Sequence, residues 1–279
     1  MIEVKDLSYS YDDDHLKLAL KDVTLNIPKG QFVAVLGHNG SGKSTFAKHL
    51  NGIFLPMGGK VYIDGQDTSE EEKLWDIRAK VGMVFQNPDN QIVATMVEED
   101  VAFGPENLGI PPEEIRRRVD FALDAVDMQE FRGAQPHNLS GGQKQRVSIA
   151  GIIAMMPQYI VLDEPTAMLD PKGRKEVMKT IRFLNREQNV TVVLITHYME
   201  EAAQADRVIV MEKGQVIVDD TPEMTFANVA LLKSVGLDVP QVTDLMFRLR
   251  RSGLHVRHDL LTVEQCADEI MRALEEKKA

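Results

Sequence analysis

The apolar positions of residues 1–220 fall into short runs bounded by Gly, Pro, Asn and Asp. The run at 31–36 is almost entirely apolar, which is typical of a strand that is covered on both faces of a sheet. Between such runs, apolar residues recur at helical spacing and lie on one helix face. Strands that alternate with helices predict an α/β fold with a parallel sheet core. The predicted strands are 2–7, 23–27, 31–36, 61–63, 159–162, 191–195 and 208–211, and a clear helical pattern contains Ile115, Val119, Ala122, Leu123 and Val126.

Two regions depart from this alternation. Residues from about 105 to 135 carry helical spacing without a strong strand, which predicts a helical subdomain inserted into the sheet domain. After residue 220 helical patterns replace the buried-strand runs, and a last helix starts where Thr262 and Gln265 match a capping box. We therefore predict a domain at 1–220, whose helical subdomain occupies about 105–155, and a C-terminal extension at 221–279. The apolar stripes of the extension contain Val242, Leu245, Met246 and Leu249, and then Cys266, Ile270 and Leu274.

Composition narrows the possible functions. Forty-three acidic residues against 32 basic ones give a formal charge of −11, which argues against nonspecific binding to nucleic acid. Cys266 is the single cysteine and the first residues lack a secretory signal, so we expect a cytoplasmic protein. No window approaches the roughly 20 apolar residues of a membrane-spanning helix, so any membrane role must come through a partner. The acidic runs at 12–14 and 70–72 are predicted to be solvated loops, and His255 and His258 to be surface residues rather than metal ligands.

A glycine-rich turn after the run at 31–36 has the spacing and context of a phosphate-binding P-loop. Its glycines allow successive N–H groups to turn towards phosphate oxygens, and the following helix adds the positive end of its dipole. Lys43 would reach the β- and γ-phosphates, and Ser44 would offer its hydroxyl to Mg²⁺. The motif alone indicates only nucleotide binding. The predicted phosphate-binding residues are Gly37, His38, Asn39, Gly40, Ser41, Gly42, Lys43, Ser44 and Thr45.

Two carboxylates end the buried run at 159–162. Ligands bind at the carboxyl edge of a parallel sheet, so Asp163 is placed to hold Mg²⁺, directly or through water. Glu164 is placed to orient and deprotonate an attacking water molecule. Considered alone, an Asp-Glu pair at a strand end more often begins a solvated loop. Together with the P-loop, it favours the catalytic interpretation.

A second turn that could bind phosphate, here called the second phosphate-shaped turn, appears nearly a hundred residues after the P-loop. Residues 139–146 place Ser140 and two glycines at the head of a helix predicted to run to about Met156, which is another anion-binding helix terminus. A structural helix cap would account for Ser140 by itself. It does not account for such a turn in a chain that already has a complete P-loop.

With these motifs, residues from about 2 to 219 resemble the ATP-binding subunits of ABC transporters. The resemblance implies a P-loop NTPase fold of ABC type with a mixed sheet, in which two subunits enclose two ATP molecules. Ser140 and Gly142 would then contact the γ-phosphate held by the opposite subunit. The resemblance further implies that Tyr11 stacks on adenine, with Tyr9 as the alternative residue for that role. It also implies that Gln86 links Mg²⁺ and water to the transport partner. Asp170 would communicate across the dimer, and His197 would contact the γ-phosphate.

Within that superfamily, residues 86–93 and 97–107 resemble the first of the two ATPase types of energy-coupling factor transporters. This resemblance implies that the chain is the ATPase subunit of an importer of vitamins or metal ions. As a peripheral subunit, it would lie at the cytoplasmic face of the cell membrane. The partners would be a second ATPase, either a paralogue or a copy of this chain, a transmembrane coupling protein docked near residues 86–110, and a substrate-binding membrane protein. The extension at 221–279 would help hold the ATPases together. The segment 163–170 mixes a general ABC pattern with the Met-Leu-Asp of this group, which blurs the assignment of paralogue type.

Two other functions fit the same motifs. The first is the ATPase of another ABC importer group, which copurifying proteins would distinguish. The second is a soluble ABC ATPase that acts on nucleic acid, ribosomes or a protein scaffold. Many such proteins carry two ATPase units, a long coiled-coil insertion or basic extensions, and the sequence has none of these.

Overall fold

The computed structural model of the chain describes residues 1–12 and 17–276. Asp13 and Asp14, from the acidic run that the sequence predicts as a solvated loop, lie outside the described residues, as do the last three residues of the extension. Within the described residues the strands form two sheets.

The larger sheet is mainly parallel and has the strand order β10-β9-β3-β8-β7-β6. Strands β3, β6, β7, β8 and β9 run parallel to their neighbours, and β10 pairs with β9 in the antiparallel direction. The smaller sheet is antiparallel, with the order β2-β1-β4-β5. The strands are β1 (Ile2–Ser10), β2 (Leu18–Ile27), β3 (Phe32–Leu36), β4 (Gly58–Ile63), β5 (Gln66–Asp67), β6 (Val81–Val84), β7 (Tyr159–Asp163), β8 (Thr191–Ile195), β9 (Arg207–Glu212) and β10 (Gln215–Asp220).

The helices cover the larger sheet and extend beyond it. Helices α3, α4 and α5 contact one another, and α1 contacts strands of both sheets. The helices are α1 (Lys43–Leu50), α2 (Leu74–Lys80), α3 (Val97–Asn107), α4 (Pro112–Ala125), α5 (Gly141–Ala154), α6 (Pro171–Arg186), α7 (Met199–Ala202), α8 (Pro222–Ala227), α9 (Val229–Ser234), α10 (Gln241–Arg251) and α11 (Val263–Glu276).

Strand β3 contributes side chains to two apolar cores, one on each face of the larger sheet. Phe32, Ala34 and Leu36 lie in the core that the helices cover, and Val33 and Val35 lie in the core shared with the antiparallel sheet. All five are fully buried. Alternate side chains of a strand point to opposite faces, so an unbroken apolar run is required here.

The inserted helices begin earlier than the helical spacing alone indicates. Helix α3 starts at Val97 rather than near residue 105, and Pro105 lies inside this helix instead of preceding it. Helix α5 ends at Ala154, two residues before the predicted end at Met156. Proline removes one helical N–H donor, and α3 accommodates that loss near its C-terminal end.

The residues after 220 belong to two different cores. Phe226, Val229 and Leu232 of α8 and α9 are buried in the large core beneath the helices. Helices α10 and α11 instead share a small separate cluster that contains Met246, Cys266 and other residues. The predicted capping box is confirmed: the Thr262 N–H donates to Gln265 Oε1 over 3.2 Å, and the Gln265 N–H donates to Thr262 Oγ1 over 3.2 Å. Leu245 and Leu274, predicted on the apolar stripes, are 47% and 42% exposed.

None of the helices in the described ranges has the length and apolar character needed to cross a bilayer. Residues 1–12 and 17–276 also contain no group of His, Cys, Asp or Glu side chains arranged to hold a metal ion by themselves.

Candidate functional site

The P-loop connects β3 to α1 at the carboxyl edge of the larger sheet. Gly40 and Gly42 have φ values of 81° and 105°, a region that L side chains rarely adopt, and α1 begins immediately afterwards at Lys43. The Lys43 ammonium folds back and donates to the carbonyl oxygens of Gly37 and His38, at 2.8 and 3.1 Å. Its side chain therefore occupies the turn whose backbone would surround a phosphate.

The charge on Lys43 is partly desolvated. Burial lowers the pKa of its ammonium, and the carboxylates of Glu164 and Asp163 oppose that change. Ser41 Oγ in the same turn is buried and has no hydrogen-bond partner among the described residues. A buried ammonium and an orphaned hydroxyl are groups that an anionic ligand would satisfy.

We expect Gly42→Ala to destabilise the chain and to weaken nucleotide binding. The new Cβ would lie 2.7 Å from the Ala19 carbonyl oxygen and would be held at a φ of 105°. Strain of this kind costs about 2 kcal/mol, so thermal unfolding should shift to lower temperature. Gly133→Ala is the control, because a Cβ at Gly133 meets no atom within 4 Å. Equal melting temperatures for the two variants would contradict this account.

Asp163 ends β7 beside the P-loop. Its Oδ1 accepts a hydrogen bond from Ser44 Oγ over 3.0 Å, so two of the three predicted Mg²⁺ ligands are adjacent, while the third, Gln86, binds Glu164. Burial raises the pKa of Asp163 and nearby Glu164 adds to that rise, while Ser44 and two lysines oppose it. A hydroxyl and a buried carboxylate are oxygen ligands that suit Mg²⁺, so the residues present fit this ion.

Glu164 lies between Gln86 and His197. Gln86 Nε2 donates to one Glu164 carboxylate oxygen over 2.9 Å, and His197 Nε2 lies 2.6 Å from the other oxygen. The Glu164 backbone has a φ of 51°, which is unusual for a residue with a side chain, and its N–H donates to the Ile195 carbonyl over 3.0 Å. A hydrogen bond to the end of β8 thus holds Glu164 in an uncommon conformation.

Strand order explains why these distant residues meet. Strands β6, β7 and β8 are parallel neighbours, with Leu162 opposite both Val84 and Leu194. Gln86, Glu164 and His197 each follow the carboxyl end of one of these strands. The sheet therefore brings together three of the four predicted catalytic residues, and Lys43 follows the next strand, β3.

The second phosphate-shaped turn is built as a helix cap. Ser140 Oγ accepts from the Gln143 N–H, and Gln143 Oε1 accepts from the Ser140 N–H, which completes a capping box at the start of α5. Asp170 caps α6 in a related way, because its Oδ1 accepts from the Gly173 N–H over 2.8 Å. Ser140, Gly142 and Asp170 line one open cavity of about 580 Å³. No hydrogen bond among residues 1–12 and 17–276 joins Ser140 to the P-loop.

Comparisons with known proteins identify the family of the chain. Residues 20–167 match the family model described as ABC transporter. The chain is 57% identical to the energy-coupling factor transporter ATP-binding protein EcfA1 of Clostridium novyi, over 98% of this chain and 97% of that protein. It is 58% identical to the EcfA1 protein of Caldanaerobacter subterraneus, over 98% and 99%. The chain belongs to the ATP-binding proteins of energy-coupling factor transporters, within the ABC transporter family.

Solved ABC structures share its fold. The cbiO1 protein of Clostridium perfringens, described as part of the ABC transporter complex cbiONQ, aligns with a TM-score of 0.76 and 38% identity over 88% of this chain and 98% of that chain. The cassette MJ0796, solved as a dimer in a post-hydrolysis state with ADP and phosphate, aligns with a TM-score of 0.72 and 34% identity over 80% and 99%. The predicted α/β P-loop fold of ABC type, the first ATPase type and the ATP hydrolase class are confirmed.

The aromatic residues near the P-loop of this ABC ATPase occupy different environments. Tyr11 is 59% exposed, and its hydroxyl lies 2.9 Å from Thr45 Oγ1 on the first turn of α1. Tyr9 is packed against Phe54, with stacked rings whose centroids are 5.1 Å apart, and against His49. The Tyr11 ring also meets Tyr9 and Phe54 edge to face, with centroids 5.3 and 5.7 Å away, but it remains the more exposed of the two tyrosines.

Sequence reasoning missed one buried carboxylate of this ABC ATPase. Glu201 of α7 is 5% exposed and accepts hydrogen bonds from Thr166 and Thr196, which flank the site on two different loops. The sequence shows only a pair of acids, Glu200 and Glu201, in a short helix. The contact becomes visible only when β7 and β8 are placed side by side.

Proposed function

We propose that the chain binds and hydrolyses ATP as one of two paired subunits and thereby energises an importer of vitamins or metal ions through a transmembrane partner. The observation that carries this proposal is the placement of Glu164 between Gln86 and His197, next to the Ser44–Asp163 pair. Membership of the energy-coupling factor group supports the kind of transporter.

The P-loop residues would bind the phosphates of ATP. Lys43 would exchange its carbonyl partners for phosphate oxygens, and the backbone of residues 37–45 would surround them. Ser44 and Asp163 would hold Mg²⁺, with Gln86 nearby. When bound, Mg²⁺ would neutralise negative charge that develops on the transferred phosphoryl group. Tyr11 would cover the adenine, because its ring is exposed beside Thr45.

Hydrolysis would depend on Glu164 as general base. Its carboxylate would accept a proton from the attacking water molecule, which Gln86 would help to orient. His197 would donate to the γ-phosphate and keep the catalytic carboxylate in place. Lys43 would stabilise the negative charge of the transition state.

A second subunit would complete each site. Ser140 and Gly142 face an open cavity beside Asp170 rather than their own P-loop, so they are available to a γ-phosphate held by another chain. Their position at the start of α5 supplies N–H groups and the positive end of the helix dipole. The partner ATPase is a paralogue or a copy of this chain.

The segment after Gln86 is tied to the helix that carries Ser140. Lys144 Nζ binds Asp89 Oδ1 at 2.7 Å, and Gln91 Nε2 donates to the Ser148 carbonyl over 3.1 Å. Closure of the dimer would therefore move residues 86–91 together with α5. We place the membrane partner on the adjoining surface near residues 86–110, where Val93 and Phe103 are 64% and 51% exposed.

The C-terminal extension would add to the contact between ATPases. Helices α10 and α11 leave Leu245, Val263 and Met271 exposed although they pack together through a small core. Exposed apolar side chains on paired helices favour a protein interface. Membership of this transporter group supports its location at the cytoplasmic face of the membrane.

Copurification tests the proposed function. A tagged chain, isolated from detergent-solubilised membranes, should bring down a second ATPase, a shared membrane protein and a substrate-binding membrane protein. The variant Phe103→Asp should lose the membrane proteins but keep the second ATPase, because it charges only the proposed docking surface. Met156→Asp, at a residue that is equally exposed elsewhere, is the control. An ATPase that is stimulated by DNA or ribosomes and never recovered with membrane proteins would contradict the proposal.

A further inference from the structure

A buried carboxylate outside the proposed catalytic set joins the two loops that frame the site. Glu201 lies on α7, and one of its oxygens accepts hydrogen bonds from both Thr166 Oγ1, over 3.0 Å, and Thr196 Oγ1, over 2.6 Å. The two threonines are each 1% exposed. Burying a carboxylate costs free energy unless hydrogen bonds compensate for the lost water. An apolar side chain would fill the same space without that cost, so packing alone does not explain Glu201.

The two threonines lie next to the residues that meet at the site. Thr166 follows Glu164 by two residues, and Thr196 directly precedes His197. Because Glu164 and His197 also touch each other, at 2.6 Å, the chain closes a ring through Glu164, Thr166, Glu201, Thr196 and His197. Rings of hydrogen bonds and covalent links restrict the relative movement of their members.

The loop around His197 is pinned on both sides. Thr196 Oγ1 donates to Glu201 and accepts from the Tyr198 N–H over 3.0 Å, so His197 lies between two anchored residues. The Tyr198 ring in turn stacks on the guanidinium of Arg174, whose carbon is 4.2 Å from the ring centroid. The backbone N–H of Arg174 makes the ordinary helical hydrogen bond to the Asp170 carbonyl, so Arg174 lies one turn after Asp170 on α6.

The charges around Glu201 are incompletely balanced. Burial raises the pKa of Glu201, and the two hydroxyls and Arg174 oppose that rise. Its second oxygen, Oε1, and Arg174 Nε are both buried without a hydrogen-bond partner in the described part of the chain. A carboxylate in this setting is sensitive to any shift of the segments that supply its partners.

We propose that Glu201 is a positioning residue that fixes the His197 loop to the loop running from Glu164 to Asp170. This inference rests on the proposed roles of Glu164 and His197. Through the two threonines, Glu201 sets the distance between the general base and the histidine.

Steady-state kinetics of the membrane complex recovered with the tagged chain test this inference. Glu201→Leu keeps the side-chain volume but removes both carboxylate oxygens. We expect kcat to fall about tenfold or more while the KM for ATP stays nearly unchanged, because a small misplacement of Glu164 and His197 affects mainly the chemical step. Glu201→Gln keeps one oxygen that can accept from both hydroxyls, so it should retain most of the activity. Rescue by glutamine separates hydrogen bonding from space filling.

The threonines provide a test that does not depend on the folding of the Leu variant. Thr166→Val and Thr196→Val each remove one hydroxyl, and their effects on kcat should be non-additive, because both act through Glu201. Thr180→Val is the matched control. It removes a buried hydroxyl that bonds the Ala125 carbonyl away from both loops, and it should change stability but not kcat.

Two outcomes would overturn the inference. One is a Leu variant with wild-type kcat. The other is a pair of threonine variants whose effects on kcat are additive, with losses that follow the fall in melting temperature. In that case Thr180→Val would lose kcat as well. Failure of the proposed function itself would look different, because Glu164→Gln would then hydrolyse ATP normally whatever happens at Glu201.

Discussion

Replacing Glu164 by glutamine is expected to lower the ATPase kcat by about a thousandfold while ATP still binds. The amide keeps the shape of the side chain and its contact with Gln86, but it cannot accept a proton from water. ATP should therefore remain bound at closed sites. The measurement is the rate of phosphate release by the membrane complex, together with the amount of nucleotide that is retained after gel filtration.

The control for this prediction is Glu187→Gln, at an exposed carboxylate beyond the end of α6. It carries the same chemical change and should hydrolyse ATP at the wild-type rate. Undiminished hydrolysis by Glu164→Gln would remove Glu164 from the role of general base. Loss of nucleotide binding in that variant would instead indicate that the carboxylate holds the site together.

Lys43→Ala should weaken ATP binding and nearly abolish hydrolysis. The variant removes a buried ammonium that sits in the P-loop and leaves the carbonyls of Gly37 and His38 without this donor. Charge-assisted hydrogen bonds are worth about 1.5–3 kcal/mol, so ATP affinity should fall by roughly 10- to 150-fold. Fluorescent-nucleotide titration measures the affinity, and phosphate release measures the rate.

Lys29→Ala provides the comparison for Lys43. Lys29 carries the same charge but is 55% exposed and pairs with Asp64, 3.0 Å away. Its removal should leave ATP affinity unchanged. If the two variants bound ATP equally well, the P-loop of this chain would not be the nucleotide site.

The P-loop and the Asp163–Glu164 pair could be predicted because local sequence determines them. A glycine-rich turn between a buried strand and a helix has few alternative uses, and two carboxylates at the end of a buried strand lie at the sheet edge by geometry. Only the family resemblance points to Gln86 and His197, and the residue pattern alone does not place them beside Glu164. That contact depends on the order of β6, β7 and β8, which a single sequence does not reveal.

Other features escaped prediction for identifiable reasons. Strand β6 is only four residues long and contains Gly82, where a Cβ would lie 2.2 Å from Ile152 of α5. Strand β10 lies at the edge of the sheet with mostly exposed side chains, so it has no buried apolar run. Glu201 looks like an ordinary surface acid until the fold places two threonines against it.

Because Phe226, Val229 and Leu232 are buried in the large core, the structural boundary of the C-terminal extension lies well beyond residue 220. Exchanging C-terminal tails between paralogous ATPases at the point where the sequence changes character would strip these side chains from the catalytic body. A junction at Pro240, just before α10, keeps these side chains with the catalytic body and transfers the last two helices together, with Phe247 of α10 as a contact that the exchange would have to preserve. Chimaeras joined at this position would show which part of the chain selects the partner ATPase.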